Sequence, residues 1–143
     1  MNSKHILRLV AAVALCAGSV GAFAQVAVVV GAKSSVSTLN ADQVSGIFLG
    51  KSNSFPSGGT AVPTDQPDSA AVRELFYTKV TGKNTAQVKA AWSRLVFSGK
   101  ATPPKELASS ADVKKFVAAN PDAIGYIEKS AVDSSVKVVF SAD

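Results

Sequence analysis

The period of the hydrophobic positions changes several times along this chain, and each change marks an element. Val26 to Val30 is an unbroken apolar run closed by Gly31, the pattern of a strand buried on both faces. After a polar stretch from Lys33 to Thr38 the period becomes helical. Val44, Ile47 and Phe48 follow i, i+3, i+4 spacing, with Asn40 as N-cap and Gln43 as its capping-box partner. Leu39 is placed to staple against Val44, and Gly50 supplies the stop. Residues 53–60, with Pro56 and the Gly58-Gly59 pair, form a loop. Ala61 to Thr64 reads as a short strand in which Pro63 removes a ladder donor, so it belongs at a sheet edge or a strand end.

Asp68 or Ser69 then caps a second helix with Val72, Leu75, Phe76 and Val80 on one face and Gly82 at its end. A third helix starts near Asn84 or Thr85 and turns Val88, Ala91, Trp92, Leu95 and Val96 inward as far as Gly99. Pro103-Pro104 makes an extended connection. Ser110 caps a fourth helix with Val113, Phe116 and Val117 inward, ending before Asn120-Pro121. Ile124 to Ile127 and Val136 to Phe140 read as strands joined by a turn over Lys129 to Asp133. Strands at both ends with helices between them predict a single α/β domain, a mixed sheet flanked by about four helices.

The first residues change the picture of where this domain works. Lys4 and Arg8 form a basic start, Leu9 to Leu15 an apolar core, and Ala22-Phe23-Ala24 a small-x-small cleavage site. The apolar stretch is interrupted by Gly18, Ser19 and Gly21 and falls short of the roughly 20 residues of a membrane span. Cys16 lies inside it behind Leu15, which does not suit lipid attachment. Residues 1–24 are therefore expected to be a signal peptide cleaved after Ala24, with residues 25–143 as one exported, periplasmic domain.

His5 and Cys16 are the chain's only histidine and cysteine, and both depart with the leader. The domain then has no imidazole or thiolate for a metal, no haem attachment, no cysteine nucleophile, no Ser-His-Asp triad and no disulfide. We expect no catalytic residue, cofactor or metal, and no enzyme. Ser134-x-x-Lys137 has the spacing of serine acyl-enzymes, but it enters a strand where the two side chains need not converge. Without Lys4 and Arg8, 13 of the 15 basic residues face 10 acidic ones. They are dispersed, Lys114-Lys115 being the one adjacent pair, so no nucleic-acid stripe is present.

Three stretches carry a resemblance. They are Ile47-Phe48-Leu49-Gly50-Lys51 after a capped helix, the strand-turn-helix from Pro63 through Arg73-Glu74-Leu75-Phe76, and Ala123-Ile124-Gly125-Tyr126. In this order they resemble the substrate-binding protein of phosphate ABC transporters, over residues 26 to 140 and about one lobe of that two-lobed protein. The resemblance implies a periplasmic-binding-protein-like lobe, a small anion such as phosphate as ligand, and an ABC transporter permease as partner. It also implies an oxoanion site at the start of the second helix, where the family places Ser-Gly-Thr before Arg-Glu-x-Phe and an arginine upstream. A helix start offers free N–H groups and partial positive charge to such an anion.

Here Ala70, Ala71 and Val72 stand in the three positions, and the upstream segment is Thr64-Asp65-Gln66 without an arginine. The candidate ligand-binding residues are therefore Asp65, Gln66, Asp68, Ser69 and Arg73. Ser69 supplies a hydroxyl if the turn shifts by one residue, and Asp65 or Asp68 supplies the acidic group. Plain N-capping is the competing role for Asp68 and Ser69. Two functions fit these residues: a binding module feeding or sensing for a transporter, and a non-ligand envelope interaction module derived from a binding-protein lobe. One lobe offers half a site, so a homodimer or another envelope protein would supply the second wall.

Overall fold

The computed structural model describes residues 25–143; the expected leader and cleavage site, with Cys16 and His5, lie outside the described residues. The first strand, β1 (Val26–Gly31), is buried at every position. Val26, Val28 and Val30 face one core, and Ala27 and Val29 face another on the opposite side of the sheet. That two-sided burial is why the run is continuously apolar rather than alternating.

The remaining elements are α1 (Ala41–Phe48), β2 (Val62–Asp65), α2 (Ala71–Phe76), α3 (Thr85–Phe97), β3 (Lys105–Glu106), α4 (Ser110–Ala119), β4 (Ala123–Glu128) and β5 (Val136–Ala142). A π-type turn over Tyr77–Thr81 continues α2, and a 3₁₀ turn over Lys129–Ala131 follows β4. The strands form one mixed sheet in the order β3-β2-β4-β1-β5. β1 runs antiparallel to β4 and β5, whereas β2 is parallel to β3 and β4. Side chains of α1, α2 and α3 pack on one face, and those of α4 cover the other. The expected α/β domain is the observed one.

α4 lies so close to the sheet that two glycines are required there. A Cβ on Gly31 would sit 2.6 Å from the Val117 carbonyl oxygen, and one on Gly125 would collide with Val113 and come within 2.6 Å of Thr64 Oγ1. Thr64 uses that hydroxyl to donate to the Ile124 carbonyl at 3.0 Å, locking β2 to β4.

Several local expectations change. β2 is an interior strand rather than an edge, because the two-residue β3 after Pro103-Pro104 covers Thr64 and Asp65. Pro63 is tolerated near the strand's start, ahead of that pairing. The N-cap of α2 is Ala70, with no side-chain cap, so neither Asp68 nor Ser69 caps it. Ser109 rather than Ser110 caps α4, while Asn84 and Gln87 form a complete capping box on α3. Val96, expected inward, is 47% exposed at the end of α3, and Phe97 beside it is 95% exposed.

The three stretches of the resemblance meet in one aromatic cluster. Phe76 stacks on Tyr126 at 4.2 Å between ring centroids, and Phe48 packs edge-on against Phe76 at 4.7 Å. Each such pair contributes about 0.5–1.5 kcal/mol beyond the area it buries. Gly50 takes a left-handed φ of 75° directly beneath Trp92 and Leu95, where a Cβ would come within 2.9 Å of either side chain.

Candidate functional site

Asp65 is the last residue of β2, where the strand emerges under the start of α2. Its carboxylate is buried, and five donors converge on it. Oδ1 accepts from the Gln66 amide at 2.9 Å, from Arg73 Nε at 3.2 Å, and from the Tyr126 hydroxyl in a short contact. Oδ2 accepts from the Tyr77 hydroxyl at 3.0 Å and from Arg73 Nη2 at 3.5 Å. Two tyrosine rings anchored in the core thus aim their hydroxyls at one point. Arg73, from the first turn of α2, closes it from above and lies 5.0 Å over the Tyr77 ring.

The electrostatics follow from burial. Desolvation pulls the Arg73 guanidinium down, but Asp65 and the two tyrosines more than offset it, so its pKa lies above the ordinary value. Burial first, and the Asp65 charge second, push both tyrosine hydroxyls well above their usual value and keep them protonated donors. This is one carboxylate held by a guanidinium, two phenols and an amide, an arrangement with the donor chemistry of an oxoanion cradle already occupied from within.

The predicted site residues separate into three groups. Asp65 and Arg73 come together as the buried pair. Gln66 contributes its backbone amide, but its side chain turns inward, donating to the Tyr126 carbonyl at 2.9 Å and to Ser110 Oγ at 3.1 Å. Ser110 in turn donates to Glu128. Asp68 stands at the rim, 3.4 Å from Arg73 Nη1 and 3.5 Å from Lys89 Nζ. Ser69 is exposed and joins none of these contacts. Sequence reasoning does not single out Tyr77 and takes Tyr126 only as part of the Ala123-Ile124-Gly125-Tyr126 stretch; nothing in a hydrophobic period reveals that a buried ring carries its hydroxyl to a carboxylate.

A groove of about 520 Å³ opens on the outer side of Arg73, between α3 and the Pro103-Pro104 segment. A wider recess of about 760 Å³ lies on the other side of Trp92, with Lys51 and Lys100 on its wall. Among the described residues no group of three or more His, Cys, Asp or Glu side chains could hold a metal ion, and no helix is long and apolar enough to cross a membrane.

Neither a protein-family profile nor a curated protein matches the chain. Solved structures do. A candidate phosphate ABC transporter substrate-binding protein with bound phosphate from Clostridium perfringens aligns over 80% of this chain and 43% of its own, at 24% identity and a TM-score of 0.65. An ABC-type phosphate transport receptor from Vibrio cholerae aligns over 80% and 44%, at 21% identity and 0.64. PstS from Borrelia burgdorferi aligns over 82% and 48%, at 11% identity and 0.59. The chain has the fold of one periplasmic-binding-protein lobe. It spans less than half the length of each of these neighbours. The positions expected from the resemblance to carry hydroxyls hold Ala70, Ala71 and Val72. Lys137 of the Ser134-x-x-Lys137 spacing donates to the Ser34 carbonyl at 2.7 Å.

Proposed function

We propose that this lobe is an exported, periplasmic binding module, not an enzyme, that recognises a small anion at the outer edge of Arg73 on behalf of an ABC transporter permease or another envelope protein. The observation that carries the reading is Arg73 itself. It is 6% exposed, yet its Nη1 has no hydrogen bond, and the exposed Asp68 carboxylate pairs with it at 3.4 Å. A buried guanidinium N–H that makes no hydrogen bond is costly, and an anion better placed than Asp68 would relieve it. Phosphate is the first anion to try, since the Clostridium neighbour is described with phosphate bound.

A second reading has its own support. The Asp65 carboxylate consumes donors that an enclosed oxoanion would need, which suits an interaction module that works by protein contact without a ligand. Thermal unfolding separates the two. Under the first, millimolar phosphate raises the melting temperature of the purified protein, and Lys89→Ala reduces the rise. A melting temperature flat across phosphate, sulfate and small carboxylates up to millimolar levels sinks the first reading and leaves the second, which then requires a stable complex with an envelope protein.

A further inference from the structure

The groove beyond Arg73 has more apolar wall than a bare inorganic anion can use. Val88, Trp92, Val96, Phe97, Pro103 and Pro104 line it, and Phe97 stands at its rim with almost its whole ring in solvent. Three of its charged side chains lie in contact. Arg73 Nη1 is buried without a hydrogen bond, and Lys89 Nζ reaches the same carboxylate, Asp68, that Arg73 faces. Both Asp68 and Lys89 are surface side chains, 67% and 75% exposed, so their contact is easily exchanged. Asp68 thus sits as a replaceable carboxylate between two cations in a largely apolar trough.

Charge sets the valence of what could replace it. Asp65, Asp68 and Glu106 share the groove with only Arg73 and Lys89. The acids would repel a dianion in a partly desolvated groove, whereas one negative charge can take the place of Asp68. Resting on the small-anion reading above, we propose that the groove binds an amphipathic monocarboxylate: the carboxylate displaces Asp68 onto Arg73 Nη1 and Lys89 Nζ, and an aromatic or branched aliphatic body lies along Trp92, Val96 and Phe97. Such a ligand gains from both ends, a charge-assisted hydrogen bond at one and removal of apolar surface from water at the other.

Calorimetric titration of the intact protein tests this with 3-phenylpropionate, compounds that keep one half of its chemistry (acetate the charge, 3-phenylpropanol the apolar body without charge), and phosphate. The expected result is 3-phenylpropionate binding at least about tenfold tighter than acetate or 3-phenylpropanol, the gain of joining the two kinds of contact. Asp68→Asn removes the competing carboxylate and tightens binding about threefold or more, on the same displacement logic. Lys89→Ala and Phe97→Ser each weaken it, with the melting temperature of the ligand-free variants unchanged. Affinity for 3-phenylpropionate no better than for acetate, or unmoved in both weakening variants, overturns the proposal. Phosphate binding with no response to 3-phenylpropionate overturns it while leaving the small-anion reading intact. Silence toward all four compounds removes both.

Discussion

Arg73 has two sides, and they differ in nearly every property that matters for binding. On the inner side its Nε and Nη2 meet a buried carboxylate that also accepts from two phenols and an amide, so charge and hydrogen-bonding capacity are matched within the chain. On the outer side its Nη1 faces a trough walled by prolines and aromatics, with the exposed carboxylates of Asp68 and Glu106 also lining it. The inner side resembles a ligand complex in which the ligand is covalently part of the strand. The outer side keeps one directed donor that makes no hydrogen bond. The lesson is that a buried cation can be neutralised for folding and still retain recognition capacity, because a guanidinium presents its donors in a fixed fork pointing in different directions.

The sharpest way to break this contrast is to remove the internal carboxylate. Asp65→Ala should destabilise the protein by about 3–5 kcal/mol in urea unfolding, since it leaves Arg73 buried and unpaired. Added acetate should recover part of the loss by mass action at the emptied position. A loss below ~1 kcal/mol would falsify the view that the inner side is structural.

Next in size come the phenols. Tyr77→Phe and Tyr126→Phe should each cost about 1–3 kcal/mol, the range for a hydrogen bond to a charged group. They also carry a pH signature. Folding raises both tyrosine pKa values, so the folded state keeps protons that the unfolded chain gives up. Their contribution is complete below ~10, the ordinary tyrosine value, and declines as pH rises beyond it. These are the chain's two tyrosines. The parent should therefore lose stability more steeply than the double variant above that pH, and parallel curves would show that the hydroxyls are not held as described. The smallest effect belongs to the outer side: Val96→Asn with Phe97→Ser should leave unfolding free energy within about 0.5 kcal/mol, as expected for exposed positions. A larger loss would mean that the trough's rim is part of the core.

What the sequence could and could not disclose follows the same division. The apolar run of β1, the Asn40–Gln43 capping box and the glycine stops use local rules, and they appear where those rules put them. The α/β layering follows from the order of those elements. The failures are positions where a distant partner overrides a local preference. Asp68 has the chemistry of a cap, yet Arg73 and Lys89 draw it away, and α2 starts at Ala70 without one. Val96 keeps the helical period, but no element covers that end of α3. At the site, Asp65 and Arg73 stood out as charges near a strand-to-helix turn, whereas Tyr126 is 61 residues away from its carboxylate partner along the chain. No spacing rule spans that separation.

Trp92 has one more consequence. It is the chain's sole tryptophan, its indole Nε1 donates to the Phe48 carbonyl at 2.9 Å, and its ring borders both the outer trough and the neighbouring recess. The protein therefore contains a single indole fluorophore, fixed in orientation, at the junction of these two concavities. Filling either one alters the polarity around that indole, so emission wavelength and quenching would report occupancy without any added label.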